Sequence, residues 1–304
     1  MNLEGVYGWG GALARRHAAF GAMVAASVIF LWNAIHALIA YSSVQESSSH
    51  IALIPFVSLA LIYIERDTIF RTARSSPIPG LTLILAGAGF YVLAGRSSWA
   101  AEGNSFLSAA AFSLVLLWTG AFLLCYGVQA ARVAIFPLLF LLLMIPMPDP
   151  ILQRTIYLLQ QGSTEISYLL FKATGTPVLR QGFFLSVPGL TIEVAQECSG
   201  IRSSLALFIT CLLAAHLFLR TAWRKLCFVM LAFPLAIIKN GIRITTLTLL
   251  SIHVDRGFLT GRLHHEGGFV FFLIGLALLA PVLLMLQRSE GHSGESGTAA
   301  VAEG

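Results

Sequence analysis

Eight stretches of this chain are apolar for close to the length of a bilayer-crossing helix, and that limits the fold more than any motif does. They run over 18–40, 50–64, 79–95, 106–126, 131–147, 201–219, 225–250 and 267–286. Crossing the hydrocarbon core by helix takes about 20 such residues, so the second and fifth are short. Charged residues make up 11% of the 304, where a soluble domain carries about 25%. With 57% hydrophobic residues and a mean hydropathy of +0.82, a water-soluble fold is excluded. The expected class is an all-α polytopic membrane protein of about eight transmembrane helices. The first run lacks a small-residue cleavage site and reads as a retained span, not a signal peptide.

Positive loops stay on the cytoplasmic side, and the count in alternate loops gives an orientation. With the N-terminus inside, the inner segments hold Arg15, Arg16, Arg66, Arg71, Arg74, Arg132, Arg220, Arg224, Lys225 and Arg288. The outer ones hold Arg96, Arg154, Lys172, Arg180, Arg256 and Arg262. Both termini are therefore expected in the cytoplasm. The formal charge of +5 records this topology; no basic stripe accompanies it, and no nucleic-acid partner is expected.

The one long outer segment, 148–200, divides in two. Residues 151–173 space their apolar side chains as a helix or a broken helix lying at the interface would. Beyond Gly175, the alternation over 178–185, the Pro188-Gly189 pair and the alternation over 190–194 predict a β-hairpin. That hairpin leads directly to Cys198. The chain is thus expected to comprise a five-helix region (1–147), the outer segment (148–200), a three-helix region (201–287) and a disordered cytoplasmic tail (288–304).

Three segments interrupt the apolar pattern with chemistry. Cys125, Cys211 and Cys227 lie inside apolar runs, where a thiol is a small hydrophobe. Cys198 has polar neighbours, in Val194-Ala-Gln-Glu-Cys-Ser-Gly-Ile-Arg202. A helix begins there, and its free N–H groups and positive dipole end favour a thiolate and suit an oxyanion; Arg202 adds charge one turn on. The same segment also fits a plain thiol at a helix cap, with Arg202 reaching to headgroups.

The seventh run contains Lys239-Asn240-Gly241-Ile242-Arg243, and ionisable groups inside a span are functional suspects by default. Counting about 1.5 Å per residue from Lys225 puts Arg243 roughly 27 Å up the helix, towards the outer surface. It could equally pair with a carboxylate or a phosphate. Lys239 reads as local packing, and Asn240-Gly241 as a loosening of the helix. The last outer loop ends in Leu263-His264-His265-Glu266-Gly267-Gly268, whose imidazole could move the thiol proton. Cys198, Arg243 and His264 come from three different helices, and the charge count puts all three at one face. No Cys-x-x-Cys, Gly-x-Ser-x-Gly or His-Glu-x-x-His is present, so zinc, serine and metalloprotease chemistries lack their signatures.

Glu197-Cys198-Ser199-Gly200-Ile201-Arg202, then Asn240-x-x-Arg243, then Leu263-His264-x-x-Gly267-Gly268 resemble the three signature blocks of the exosortase/archaeosortase family. The resemblance covers 148–286 in order and spacing. It implies a cysteine protease or transpeptidase of the bacterial inner membrane, with its active site facing the exterior and no cofactor. Cys198 would be the nucleophile, Arg243 the oxyanion or carbonyl ligand, and His264 the general acid/base; His265 is open as an alternative because the double histidine lets the match slip by one. The partners implied are proteins ending in a sorting signal of the PEP-CTERM kind: a short motif, a transmembrane helix and a basic cluster. Many members have Glu-Ala-Cys where this chain has Gln196-Glu197-Cys198, which leaves no carboxylate two residues before the thiol. Two other classes fit the residues: a transporter using Lys239, Asn240 and Arg243, and a glycosyl- or acyltransferase using a histidine base with Glu197, Asp255 or Glu266 on a lipid-linked substrate. Loss or retention of activity in Cys198→Ala separates them from the protease.

Overall fold

The computed structural model describes the backbone of residues 4–98, 104–259 and 268–302. The chain divides into two compact units, Met1–Ile151 and Leu152–Gly304. Among the described residues, seven helical stretches are long and apolar enough to cross a membrane, or eight if the bent pair Ile135–Met144 and Asp149–Ala173 is one span. The polytopic all-α class read from the sequence is borne out.

The first unit holds α1 (Glu4–Phe30), α2 (Trp32–Val44), α3 (Ile54–Ile64), α4 (Arg66–Ile69), α5 (Pro77–Ala94), α6 (Ser105–Val133) and α7 (Ile135–Phe140). The apolar run 18–40 is two helices, not one. They meet at Leu31, which is buried with φ −101 and ψ 19, so the span is Gly11–Phe30. No Pro or Gly marks that bend in the sequence; it tucks Leu31 into the core. Helices α5 and α6 touch backbone to backbone. A Cβ on Gly80 would lie 2.6 Å from the Leu124 nitrogen, and one on Gly120 would lie 2.9 Å from the Gly80 oxygen. Small residues allow this close approach, which drives helix association where lipid removes the hydrophobic incentive. The short fifth run ends in a 3₁₀ turn, Leu141–Met144, before Pro146 and Pro148 deny the helix its backbone donors.

The second unit takes in most of α8 (Asp149–Ala173), strands β1 (Leu179–Gln181), β2 (Phe184–Val187) and β3 (Leu190–Glu193), and helices α9 (Ile201–Phe218), α10 (Ala222–Met230), α11 (Ala232–His253) and α12 (Gly268–Ala302). Helix α8 is continuous, where its spacing had left a broken helix equally open. It buries Gln160, Ser163, Thr164 and Ser167 alongside Leu152, Leu159 and Phe171, while Ile151, Leu158 and Leu169 are exposed. A stripe of small polar groups thus points into the protein, where other side chains can satisfy it.

The expected hairpin is a three-stranded antiparallel meander in the order β1-β2-β3, with Arg180 opposite Leu185 and Leu185 opposite Ile192. The extra reversal falls at Gly182, whose φ of +63 is open to glycine and costly to residues with a Cβ. The alternation over 178–185 therefore belongs to two strands and not to one. Leu185, Val187 and Val194 bury against Phe171 of α8, with Ile244, Leu249 and Ile252 of α11 at the edge of the cluster. An ion pair from Arg180 of β1 to Glu165 of α8 ties the outer strand down. Helix α12 continues to Ala302, through the stretch for which composition predicted disorder. Glu290 accepts backbone N–H groups from Arg220 at 3.0 Å and Thr221 at 2.8 Å, which anchors that helix beyond its apolar part.

Candidate active site

Strand β3 hands the chain to the cysteine through a short, well-braced connection. Val194 donates its N–H to Phe183 at 3.0 Å, and its carbonyl accepts the side-chain amide of Gln160 on α8. Ala195 is extended, with φ −65 and ψ 166, and Gln196–Ser199 form one 3₁₀ turn, in which the Cys198 N–H donates to Ala195 at 3.0 Å. Gly200 then takes the left-handed conformation, φ 71 and ψ 24, and α9 starts at Ile201. Cys198 is thereby held two residues before Gly200, the N-cap of α9, half-buried and reduced.

Gly200 is required twice over. Its φ disfavours any Cβ, and a Cβ there would lie 2.7 Å from Asn240 Oδ1. Its carbonyl is held by α9, accepting the Ser204 N–H at 2.9 Å, the Ser204 hydroxyl at 2.8 Å and the Ser203 hydroxyl at 3.1 Å.

Helix α11 braces the same turn from the other side. Asn240, 1% exposed, donates through Nδ2 to the Cys198 carbonyl at 2.9 Å and to Ser163 Oγ of α8 at 3.0 Å. Lys239, equally buried, donates through Nζ to Ser203 Oγ of α9. The close approach that permits this comes from Gly241: a Cβ there would meet Ile166 Cγ2 of α8 at 2.4 Å, and its carbonyl accepts the Ser167 hydroxyl at 3.3 Å. The loosening read into Asn240-Gly241 is instead a tight contact, and Asn240 is a hydrogen-bonding post.

One turn beyond Asn240, Arg243 lines a cavity of about 210 Å³ together with Cys198, Ile192, Glu193, Val194, Ile244, Leu247 and Thr248. Small-molecule sites usually occupy about 300–1,000 Å³, so this space suits a group the size of one residue beside the thiol. The structure therefore brings two of the three sequence-chosen residues, Cys198 and Arg243, to one cavity. His264 and His265 lie outside the described residues. Arg202 is exposed on the first turn of α9.

Sequence reasoning missed Gln160, Ser163 and Ser203 as supports and Glu193 as a cavity wall. A signal for the α8 pair existed: Gln160, Ser163, Thr164 and Ser167 recur at helical spacing, and a stripe of small polar groups in a membrane protein needs partners inside. Ser203 had none, because a serine in the first helical turn is ordinary capping chemistry.

Comparison with protein families matches residues 32–281 to the family described as transmembrane exosortase. No curated protein and no solved structure matches the chain.

Proposed function

The chain belongs to the transmembrane exosortase family, and from that premise we propose that it is a cysteine protease or transpeptidase that cuts C-terminal sorting signals at the outer face of a bacterial inner membrane. The observation that carries this reading is the cavity shared by Cys198 and Arg243. A sulfur nucleophile and a fixed cation beside one residue-sized space are what acyl transfer from a peptide requires.

In the proposed reaction, the single helix of the substrate docks against the bundle with its motif outside and its basic cluster in the cytoplasm. The Cys198 thiolate attacks the scissile carbonyl carbon, and the oxyanion that forms is stabilised by the Arg243 guanidinium. Collapse of the tetrahedral intermediate breaks the C–N bond, and His264, or His265 in its place, gives the departing amine the proton it took from the Cys198 thiol. The thioester on Cys198 is then opened by water, which releases the protein, or by an amine, which transfers it. Arg243 contributes most in the charged intermediate, so it acts on the rate of acylation.

The test is co-expression with a reporter ending in a short motif, one hydrophobic helix and an Arg-rich tip. Cys198→Ala and Cys198→Ser are expected to insert normally and to accumulate uncut reporter. Arg243→Gln is expected to slow cutting about 10²–10³-fold, the cost of removing one oxyanion donor. Normal processing by Cys198→Ala overturns the proposal in favour of a transporter or a histidine-based transferase.

A further inference from the structure

Strand β3 is an edge. In the order β1-β2-β3 it is hydrogen-bonded to β2 on one side, and among the described residues no strand pairs with its other side. The register fixes which backbone groups face each way. Phe184 stands opposite Glu193 and Leu185 opposite Ile192, so Phe183 stands opposite Val194, and the Val194 N–H donates to the Phe183 carbonyl at 3.0 Å. Hydrogen-bonded and non-hydrogen-bonded pairs alternate along an antiparallel ladder. Ile192 and Val194 therefore turn their N–H groups to β2, whereas Thr191 and Glu193 turn their N–H and C=O groups to the open edge. Both of those residues are exposed.

The cavity beside the thiol follows that edge. Successive side chains of a strand point to opposite faces, so a space lined by the consecutive residues Ile192, Glu193 and Val194 lies at the margin of the strand and not on one face. Strand β2 contributes nothing to its lining, which leaves the unpaired side. Cys198 stands at the same cavity, and its far wall is α11, with Leu247 and Thr248 among the lining residues. A row of outward N–H and C=O groups is a template for the main chain of another extended segment, whatever side chains that segment carries. Here the template leads to a nucleophile: β3 ends at Glu193, and the next turn, Gln196–Ser199, contains the cysteine.

We propose that the free edge of β3 is the docking strand for the substrate. The segment of the sorting signal that precedes the scissile bond adds parallel to β3, exchanges main-chain hydrogen bonds with Thr191 and Glu193, and so brings its last carbonyl to Cys198. Only a peptide running the same way as β3 has its acyl side on the strand and its leaving side beyond the thiol. This deepens the protease reading and rests on Cys198 being the nucleophile.

Two readouts test it in the full chain, co-expressed with the reporter described above. The first is crosslinking in a Cys198→Ser, Cys227→Ser background, where the reporter is not consumed. Thr191→Cys is added, and a single cysteine is moved one position at a time through the reporter's motif. Disulfides are expected at alternate reporter positions, because side chains on one face of a strand recur every second residue. Uniform or absent crosslinking overturns the proposal. The second readout compares Thr191→Pro with Thr191→Val in the parent. Both lose the threonine hydroxyl and its 3.1 Å bond to Ser186, and proline at an outward-facing position spares the β2 ladder, so the edge N–H is what separates them. Thr191→Pro is expected to process the reporter about tenfold more slowly than Thr191→Val, the cost of one or two hydrogen bonds to the substrate. Thermal melts in detergent check that both fold, and the crosslinking pattern carries the test if the proline variant does not. Equal processing by the two folded variants overturns the proposal. Cys198→Ala is measured in parallel: processing that persists there removes the nucleophile itself, and processing lost there beside equal rates in the two Thr191 variants removes the docking edge alone.

Discussion

At the scale of single residues, the Cys198–Gly200 turn is set by what Gly200 and Asn240 exclude and hold. Gly200→Ala adds a Cβ in a left-handed conformation, 2.7 Å from Asn240 Oδ1. It is expected to lower stability by about 1–3 kcal/mol and to abolish processing, as read by the thermal melt in detergent and by the reporter. Asn240→Asp keeps the shape but puts an oxygen where Nδ2 donates to the Cys198 carbonyl. It is expected to harm processing more than Asn240→Ala, which leaves that carbonyl unsatisfied at a cost of about 1–3 kcal/mol; equal activity in the two variants counts against this hydrogen bond as the one that matters. Cys198 and Arg243 were legible because each breaks an apolar pattern beside a turn or inside a span. Ser163 and Ser203 were not, since their importance lies in partners 77 and 36 residues away, and a serine in a helix is unremarkable until the facing side chain is known.

At the scale of elements, apolar run length located the spans and small residues decided how closely they pack. The bend at Leu31 escaped because no breaker causes it, and the third strand escaped because alternation has the same period on both sides of a tight reversal. The α8–α11 contact gives a test. Gly241→Ala would bring its Cβ to 2.4 Å from Ile166 Cγ2, and the expected loss is about 1–3 kcal/mol from overpacking. Ile166→Ala is expected to recover much of it, since the clash is with that side chain. A double-mutant cycle on the melting transition checks this, and additive effects would show that the two residues do not meet.

For the whole molecule, the charge count makes a prediction that neither the site nor the packing contains. Cys198 is expected on the outer side and Cys227, two residues after Lys225, near the cytoplasm. In spheroplasts, a membrane-impermeant maleimide is expected to label a variant whose sole cysteine is Cys198, and to label one retaining only Cys227 after permeabilisation alone. The reverse pattern would invert the topology. The supports of the Cys198–Gly200 turn also carry a sense of time. The cysteine leaves the ribosome 42 residues before the asparagine that clasps its carbonyl, so a nascent chain halted between α9 and α11 exposes a thiol with no brace and no arginine beside it. Assembly order would thus work as a safety catch for the proposed reaction: the thiol gains its brace and its arginine only when a late helix has been threaded into place.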